Sequence, residues 1–500
     1  MAKTTLNKYI ALILCVSLII CSIPFSASAK EYKLKLNLST YLDASFNIEQ
    51  PMLVYDEDKA LAESINTQFK DFKEDVDISA FKIRNTEANQ QRIVEILSYG
   101  LPECFHLNTS FYVGFDYSGN YITNIYPQYD YEKSEYITML DECNAVADKL
   151  LRGIEGNTKL NDVQKLLLLH DRIALNCEYD YERYSQTEDV PVISHTMYGA
   201  FVNKIAVCQG YTLGYGYLLD RIGIRNYYCA SSRLNHIWNI VYVNNKPYHV
   251  DITWDDTVWD VTGEVLHDNF LISSEELYQT GHRADDYDTS PVDTTYDNYF
   301  WKNSKTAFTL VNDEIYYIDD SEANFVNIKR YSDKNTIYKT EHYWMDGSDS
   351  YWPDNYARLA TDGKNLLFSL SEGIYKLDIN SKMAVEIHKP ELTGNFKIFG
   401  FTYENGNLIY DLFTKPDFEK DTKRKYQRTV PYITAHTPGD VNDSNTIDLL
   451  DVVVLARAVA DWQVYYNSSA LDVNGDGVKT LADVTYLARY VAGWSGITLH

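Results

Sequence analysis

The chain has 500 residues, of which 45% are hydrophobic and 23% are charged, the composition of a globular protein with room for several domains. Its formal net charge is −26 at pH 7. A surface this acidic repels phosphate backbones, so nucleic acid is excluded as an expected partner. Beyond the N-terminal leader, no apolar stretch is long enough to predict a membrane span.

Residues 1–29 have the pattern of a secretory signal peptide. Lys3 and Lys8 precede an apolar run from Ile10 to Ile23, and Ala27-Ser28-Ala29 offers a small-residue cleavage site. The mature protein is therefore predicted to be extracellular. Five of the seven cysteines follow this leader, and their spacing predicts neither a disulfide ladder nor a CxxC metal motif.

Residues 30–140 are predicted to form an α+β prefix that packs on the next domain. Its strongest elements are a helix over Glu87–Leu97 and a strand over Phe105–Phe115. A further helix is predicted over residues 162–180, because Asn161 provides an N-cap and the apolar residues after it have helical spacing. His170 is interpreted as a residue on the face of this helix, not as a catalytic base.

A Cys, a His and an Asp lie within one short stretch. The apolar spacing after Cys208 predicts a helix that begins at this thiol, where the helix dipole favours a thiolate. His236 begins a predicted strand of aromatic and β-branched residues, and a turn at 244–246 leads into a second predicted strand from Pro247 to Trp254. This hairpin would place Asp251 and His236 on neighbouring strands.

These three residue types suit nucleophilic catalysis. A cysteine nucleophile needs a base to take its proton, and an aspartate on the second imidazole nitrogen orients that base. We therefore predict Cys208 as the nucleophile, His236 as the base and Asp251 as the orienting group. Taken singly, a buried cysteine and a lone histidine are more often core residues. Trp238 and Trp254 are both predicted to be core residues.

The stretch resembles the transglutaminase-like superfamily in four places, which are Val207-Cys208-Gln209-Gly210-Tyr211, Gly223-Ile224, His236-Ile237-Trp238-Asn239 and Val250-Asp251-Ile252-Thr253-Trp254. The resemblance implies a papain-like catalytic domain, assigned here to residues 141–300, with Cys208, His236 and Asp251 as its triad. It also implies attack on an amide carbonyl to form a thioester, without a cofactor for catalysis. The superfamily contains crosslinkers, deamidases and peptidases.

Residues 301–432 are predicted to form a β-rich accessory domain. Strand-like runs follow the turns Asn312-Asp313, Asp362-Gly363 and Asn405-Gly406 at the spacing of propeller blades. Three such units are too few to close a propeller, so a partial propeller or a sandwich is expected. Residues 433–438 are predicted to be a linker.

Two twelve-residue segments near the C-terminus repeat with an offset of 32 residues. Ca²⁺ prefers six or more oxygen ligands, and such loops supply them from positions 1, 3, 5, 7, 9 and 12. The repeat therefore predicts two Ca²⁺ sites. Their ligand positions are Asp440, Asn442, Ser444, Thr446, Asp448 and Asp451 in the first loop, and Asp472, Asn474, Asp476, Val478, Thr480 and Asp483 in the second.

The repeated loops and the matched helices after them resemble a type I dockerin, assigned to residues 439–500. This resemblance implies docking on a cohesin module of a scaffold protein. Positions 10 and 11 of the loops, which often set the choice of cohesin in this family, are Leu449-Leu450 and Leu481-Ala482. They are more apolar than the common Ser-Thr pair.

Together these patterns predict a multidomain protein with an α+β papain-like core, a β-rich accessory domain and a small all-α dockerin. The expected function is that of a secreted, scaffold-docked cysteine peptidase or amide hydrolase that acts on a protein or peptide. Two alternatives stay open. One is a crosslinking transglutaminase, and the other is a non-catalytic component that binds polysaccharide or protein.

Overall fold

The computed structural model describes most of the chain after the leader. The described residues are 33–37, 58–181, 190–256, 258, 261–345, 350–352, 354–415, 426–432, 437–442, 446–460, 462, 466 and 470–500. The predicted signal peptide (1–29), Ser444 and residues 433–436 of the predicted linker lie outside these ranges. None of the helices in the described ranges combines the length and the apolar character that crossing a bilayer requires.

The N-terminal unit packs two helices against an antiparallel sheet. The helices are α1 (Lys59–Lys70) and α2 (Glu87–Tyr99), and the strands are β1 (Lys33–Asn37), β2 (Val76–Asp77), β3 (Ile83–Arg84), β4 (Ser110–Phe115) and β5 (Tyr121–Tyr126). The strand order is β1-β4-β5-β2, with β3 also paired to β5. The prediction for α2 is confirmed within two residues, whereas the predicted strand from Phe105 begins only at Ser110.

Two long helices follow, α3 (Lys133–Leu151) and α4 (Asp162–Asn176). The predicted cap of α4 is present as a capping box, in which Asn161 and Gln164 each accept the other's backbone amide. The prediction that α4 continues to residue 180 is wrong. The helix ends at Asn176 because Cys177 is extended, and β6 (Glu178–Tyr179) then pairs in parallel with β7 (Ile205–Ala206).

The next region combines a central helix with an antiparallel sheet. The helix is α5 (Cys208–Arg221), and the strands are β8 (Asn226–Ser231), β9 (His236–Val243), β10 (Lys246–Val250) and β11 (Phe270–Ile272), in the order β11-β10-β9-β8. Two short helices, α6 (Ile252–Asp255) and α7 (Ser274–Thr280), flank β11 in the sequence. The predicted turn is confirmed, since Asn244 and Asn245 both have positive φ.

From Thr309 onward the chain forms successive antiparallel sheets. The first contains β12 (Thr309–Val311), β13 (Glu314–Ile318), β14 (Phe325–Arg330) and β15 (Thr336–Glu341), and a two-stranded sheet of β16 (Trp344–Met345) and β17 (Tyr351–Trp352) follows. The third contains β18 (Leu359–Thr361), β19 (Leu366–Leu370), β20 (Gly373–Asp378) and β21 (Met383–His388), and the last contains β22 (Lys397–Glu404), β23 (Asn407–Phe413) and β24 (Gln427–Pro431). The β-rich character is confirmed. A propeller is not shown, and the choice between partial propeller and sandwich stays a prediction.

The C-terminal segment contains two helices of equal length, α8 (Leu449–Val459) and α9 (Leu481–Val491), which pack around a small core that includes Leu455 and Leu487. Each begins with a capping box, from Asp448 to Asp451 and from Thr480 to Asp483. The protein is thus multidomain, with mixed helices and antiparallel sheets followed by a helical C-terminal region.

Candidate functional site

Cys208 is the first residue of α5, as its sequence context predicts. Val207 before it is extended, and its amide donates to the carbonyl of Ser194 at 2.9 Å, which fixes the chain as it enters the helix. Gly210 permits a close approach here, since a Cβ at this position would lie 2.7 Å from the Cβ of Ala206. The first amides of an α-helix have no carbonyl within the helix to bond, so their N–H groups lie at the end of α5 where Cys208 begins the helix.

Two hydrogen bonds join α5 to β9 and set the spacing between Cys208 and His236. The hydroxyl of Thr212 lies 2.8 Å from the carbonyl oxygen of Cys208 and 3.1 Å from that of Ile237. The side-chain amide of Asn239 donates to the carbonyl of Thr212 at 3.1 Å. All of these groups are buried, so the helix start and the strand start are held together in a region without competing water.

The hairpin brings His236 and Asp251 together. Val250 pairs with Asn239, so the chain leaves β10 beside the first residues of β9. His236 Nε2 lies 2.6 Å from Asp251 Oδ2, and the Cys208 thiol interacts with the same imidazole. Because Asp251 occupies Nε2, Nδ1 is the ring nitrogen left for the thiol.

The prediction that β10 continues to Trp254 is wrong. The strand ends at Val250, and Asp251 instead caps the short helix α6, with its Oδ1 accepting from the amide of Thr253 at 3.0 Å. One carboxylate oxygen therefore anchors the backbone while the other faces the imidazole. An N-cap with this geometry fixes the side-chain rotamer, which a strand residue would not do.

The charges of this pair stabilise each other in a buried setting. Burial alone would lower the pKa of His236, but the Asp251 carboxylate outweighs burial, and with the bond to Cys208 the pKa rises to about 10. Burial likewise acts to raise the pKa of Asp251, whereas His236 and His282 outweigh it and lower this pKa. The imidazolium form of His236 is thereby favoured at neutral pH.

Sequence reasoning missed His282. Its Nε2 lies 2.8 Å from the same Oδ2 of Asp251, and its ring packs on Trp254 with centroids 3.8 Å apart. The prediction that Trp254 is a core residue is wrong, because this side chain is 39% exposed, whereas Trp238 is buried as predicted. A histidine just after a helix, 31 residues beyond Asp251, gives no pattern from which this contact could be found.

The N-terminal unit covers one side of the thiol. Cys208 belongs to a buried apolar cluster with residues of that unit, and Tyr99 packs on Tyr228 with ring centroids 4.6 Å apart. Gln209 donates to the carbonyl of Ser98 at 3.1 Å. An open cavity of about 740 Å³ lies next to this contact and is lined by residues of α1, α5 and β8, together with Tyr99.

His170 lies in a second buried group of titratable side chains. Its two ring nitrogens lie 2.8 Å from Asp171 Oδ1 and 3.1 Å from Asp255 Oδ2, while His267 Nε2 lies 3.1 Å from Asp171 Oδ1. Burial lowers the pKa of His170, but the two carboxylates outweigh it and raise this pKa to about 9. His170 thus lies in α4, as predicted, on a buried face within a charged network.

Both His–Asp groups bring possible ligand atoms within 4.8 Å of one another. In each group, however, the imidazole nitrogens nearest the carboxylates already have hydrogen-bond partners, so the distances are those of a hydrogen-bonded network.

The residues of the two C-terminal loops suit Ca²⁺. In the second loop, Asp472 accepts the amides of Asp476 and Gly477, which curls the loop around its carboxylates. Gly477, at position 6 of this loop, has φ +83°, a left-handed conformation that glycine adopts without strain. At position 12 of the loops, Asp451 and Asp483 are both fully buried and accept backbone amides of their own loops. In the first loop Ser444 lies outside the described residues.

Comparison with known proteins gives one family match. The family model described as Dockerin type I domain matches residues 438–492. No curated protein matches the chain. A solved structure described as "Crystal structure of a TGase" is 14% identical over 27% of this chain and 41% of that protein, with a TM-score of 0.21. The match spans less than half of that protein, and a TM-score this low establishes no common fold.

The recognition of a dockerin is thus confirmed, and the match begins one residue before the predicted start and ends at residue 492. Type I dockerin domains bind calcium and dock on cohesin modules, which associates their proteins with extracellular cellulosomes. Residues 438–492 of this chain are a type I dockerin domain.

Proposed function

We propose that the chain is a secreted, cellulosome-docked cysteine enzyme of the transglutaminase-like kind, in which Cys208, His236 and Asp251 form a catalytic triad. The proposed catalytic domain, residues 141–300, would have a papain-like α+β fold. The prefix (30–140), the accessory domain (301–432) and the linker (433–438) keep their predicted bounds as part of this proposal, and a cohesin is the proposed docking partner.

The chemistry follows from the roles of the three groups. His236 holds the proton of the Cys208 thiol, so the sulfur attacks the carbonyl carbon of an amide as a thiolate, and the carbonyl oxygen takes the electron pair in a tetrahedral intermediate. When this intermediate collapses to the thioester, the His236 imidazolium gives its Nδ1 proton to the leaving amine. Neutral His236 then takes a proton from the incoming water, which hydrolyses the thioester and releases the carboxylic acid and Cys208.

The observation that carries the proposal is the continuous chain from Asp251 through His236 to Cys208 at the start of α5. A core cysteine needs no ionised partner. Here the imidazole contacts a carboxylate at one nitrogen and the thiol at the other, and backbone bonds fix both flanking elements.

Hydrolysis is favoured over crosslinking as the fate of the thioester. A docked extracellular enzyme meets water in great excess over any amine, so a crosslinker would need a feature that selects the amine. We therefore propose a peptidase or amide hydrolase that acts on a protein or peptide.

A non-catalytic binding component is the second candidate. It is favoured by one observation, namely that Cys208 is only 5% exposed and lies against the N-terminal unit. In that case the triad residues would serve packing alone.

The test is a parallel screen of peptide cleavage, glutamine deamidation and amine incorporation, using the full-length protein in Ca²⁺. Cys208→Ala should abolish activity, whereas Cys143→Ala, which removes another buried thiol, should retain it. A Cys208 thioester should appear as a mass increase on the wild type alone. Equal activity of Cys208→Ala and wild type would refute the catalytic proposal in favour of the binding component.

A further inference from the structure

We propose that His282 is a fourth, positioning member of the site, whose Nε2–H holds the Asp251 carboxylate in the orientation that His236 requires. This inference rests on the proposed function. Neither the sequence resemblance nor the dockerin match assigns a role to His282.

Asp251 has three fixed donors. Its Oδ1 accepts from the Thr253 amide at 3.0 Å, and its Oδ2 accepts from His236 at 2.6 Å and from His282 at 2.8 Å. The carboxylate is 1% exposed, so protein groups must replace the water that would otherwise solvate it. Without His282, Oδ2 would depend on His236 alone.

The two histidines on Oδ2 differ in what their Nδ1 atoms meet. Nδ1 of His236 faces the thiol, whereas Nδ1 of His282 is buried and has no hydrogen-bond partner in the described part of the chain. A proton on that second atom would be an unsatisfied buried donor, which costs more than a bare lone pair. His282 therefore donates to Asp251 through Nε2 alone, and this fixed donor does not compete for the proton moved by His236.

His282 is itself held tightly. Its backbone amide donates to the carbonyl of Leu277 at the end of α7, and its ring packs on Trp254, three residues after Asp251. Gly281 has φ +127°, and a Cβ there would lie 2.9 Å from the Trp254 ring. The contacts therefore close on themselves. Asp251 caps α6, Trp254 of α6 packs on the His282 ring, and His282 in turn donates to Asp251.

Removing the His282 donor should make Asp251 easier to protonate, because a hydrogen bond to the ionised form lowers a carboxyl pKa. The other titratable groups facing Asp251 are His236, His249 on β10 and Cys229 on β8. A protonated Asp251 no longer stabilises the His236 imidazolium, so the reactive thiolate–imidazolium pair would be lost at a higher pH than in the wild type.

The experiment measures the rate at which iodoacetamide alkylates Cys208 from pH 4 to 9, by intact mass of the full-length protein. Two variants each remove one property of the imidazole. His282→Phe keeps a ring against Trp254 but lacks the donor, whereas His282→Gln keeps an N–H donor without the ring. We expect the acid limb of the His282→Phe profile to move up by about one pH unit, with at least tenfold slower alkylation on that limb, and His282→Gln to restore much of this rate.

Two outcomes would show a packing role and overturn the proposal. In one, alkylation of His282→Phe is slower by the same factor at every pH. In the other, the pH profile of His282→Gln equals that of His282→Phe. If His282→Phe does not fold, nitrogen NMR of the wild-type imidazoles decides. A proton on Nε2 of His282 supports the proposal, and a bare Nε2 overturns it.

These readouts are separable from the test of the proposed function, because alkylation reports the ion pair without any substrate. If His282→Phe shows no pH shift in alkylation while the wild type has acyl-transfer activity, the role of His282 alone is refuted. Absence of all acyl-transfer activity with the shift present would refute the proposed function alone.

Discussion

The side chain of Gln209 donates to the carbonyl of Ser98 at 3.1 Å, and so ties the residue after the candidate nucleophile to the last turn of α2. The same turn supplies Tyr99, whose ring packs on Tyr228. The N-terminal unit therefore forms a wall beside the thiol, and we expect this wall to limit the size of the reagents that can reach Cys208.

Gln209→Ala should loosen this wall. We expect a bulky maleimide to react several-fold faster with Cys208 in the variant than in the wild type, with a much smaller change for iodoacetamide, because only the larger reagent needs the wall to move. The ratio of the two rate constants, followed by intact mass, is the measurement. Gln91→Ala, on the same helix as Ser98 but without this bond, is the control; an unchanged ratio in Gln209→Ala would contradict the prediction.

Asp251→Asn should separate orientation from folding. An asparagine Oδ1 can still accept the Thr253 amide and cap α6, but the amide cannot stabilise the His236 imidazolium. We expect acyl transfer to fall on the order of a thousandfold, by analogy with other triads. The fold should be retained, although the thermal midpoint should fall because the buried charge pair with His236 is lost. A variant that keeps more than a tenth of the wild-type rate would show that Asp251 does not orient the base.

Gly210 should not tolerate a side chain. A Cβ there would lie 2.9 Å from the carbonyl oxygen of Thr196 as well as against Ala206, so α5 would have to move. We expect Gly210→Ala to lower the free energy of unfolding by about 1–3 kcal/mol and to reduce Cys208 reactivity. Gly216→Ala is the matched control on the same helix, because its Cβ meets only side-chain atoms, at 3.1 Å and beyond. Equal unfolding curves for the two variants would contradict this prediction.

Stability should fall as the pH rises above neutrality. The pKa of His170 is raised to about 9 and that of His236 to about 10 in the folded protein, against about 6.5 for an unfolded histidine. A raised pKa stabilises the fold fully below pH 6.5, and this contribution is lost as the pH passes 9 to 10. For each buried group the loss is on the order of 3 kcal/mol.

Urea unfolding between pH 6 and 10 at constant Ca²⁺ measures this loss. His500→Gln changes an exposed histidine at the C-terminus and should leave the pH dependence of the free energy of unfolding unaltered. A wild-type free energy of unfolding that stays constant up to pH 10 would mean that these histidines are neutral in the folded protein.

Calcium removal should separate docking from the thiol chemistry. An empty loop holds several carboxylates close together, so the dockerin should lose its order without the cation. We expect a chelator to abolish binding to a cohesin while the alkylation of Cys208 persists. Asp440→Ala with Asp472→Ala should reproduce this in the presence of Ca²⁺, and either single change should leave partial binding. Cohesin binding that survives the double change would contradict a calcium-dependent mode, with the exposed Asp162→Ala as control.

Local patterns predicted the parts of the site that depend on local structure. The start of α5 follows from the apolar spacing after Cys208, and the hairpin follows from the Asn-Asn turn between two β-rich runs. The end of β10 could not be predicted so easily. Ile252, Thr253 and Trp254 all favour strands, but the side chain of Asp251 caps a helical turn there, and this bond outweighs the intrinsic preference.

The remaining contacts depend on the tertiary fold. Ser98 meets Gln209 across 111 residues, and His282 meets Asp251 across 31. Nothing in the spacing of these residues marks them as partners. His170 has the same difficulty, since its neighbours Asp171, Asp255 and His267 come together only when α4, α6 and the chain before β11 have packed.

The buried network around His170 also limits where the chain can be truncated. Asp171 accepts the backbone amide of Phe308 at 2.6 Å, and His267 bonds the carbonyl of Ser304. Both partners lie beyond residue 300, where the sequence places the end of the catalytic domain. A recombinant fragment that stops at residue 300 would leave the Asp171 carboxylate without that amide in a region closed to water. Fragments meant for crystallisation should therefore extend through the first accessory sheet, to at least residue 341, since residues 304 and 308 contribute hydrogen bonds to this buried network.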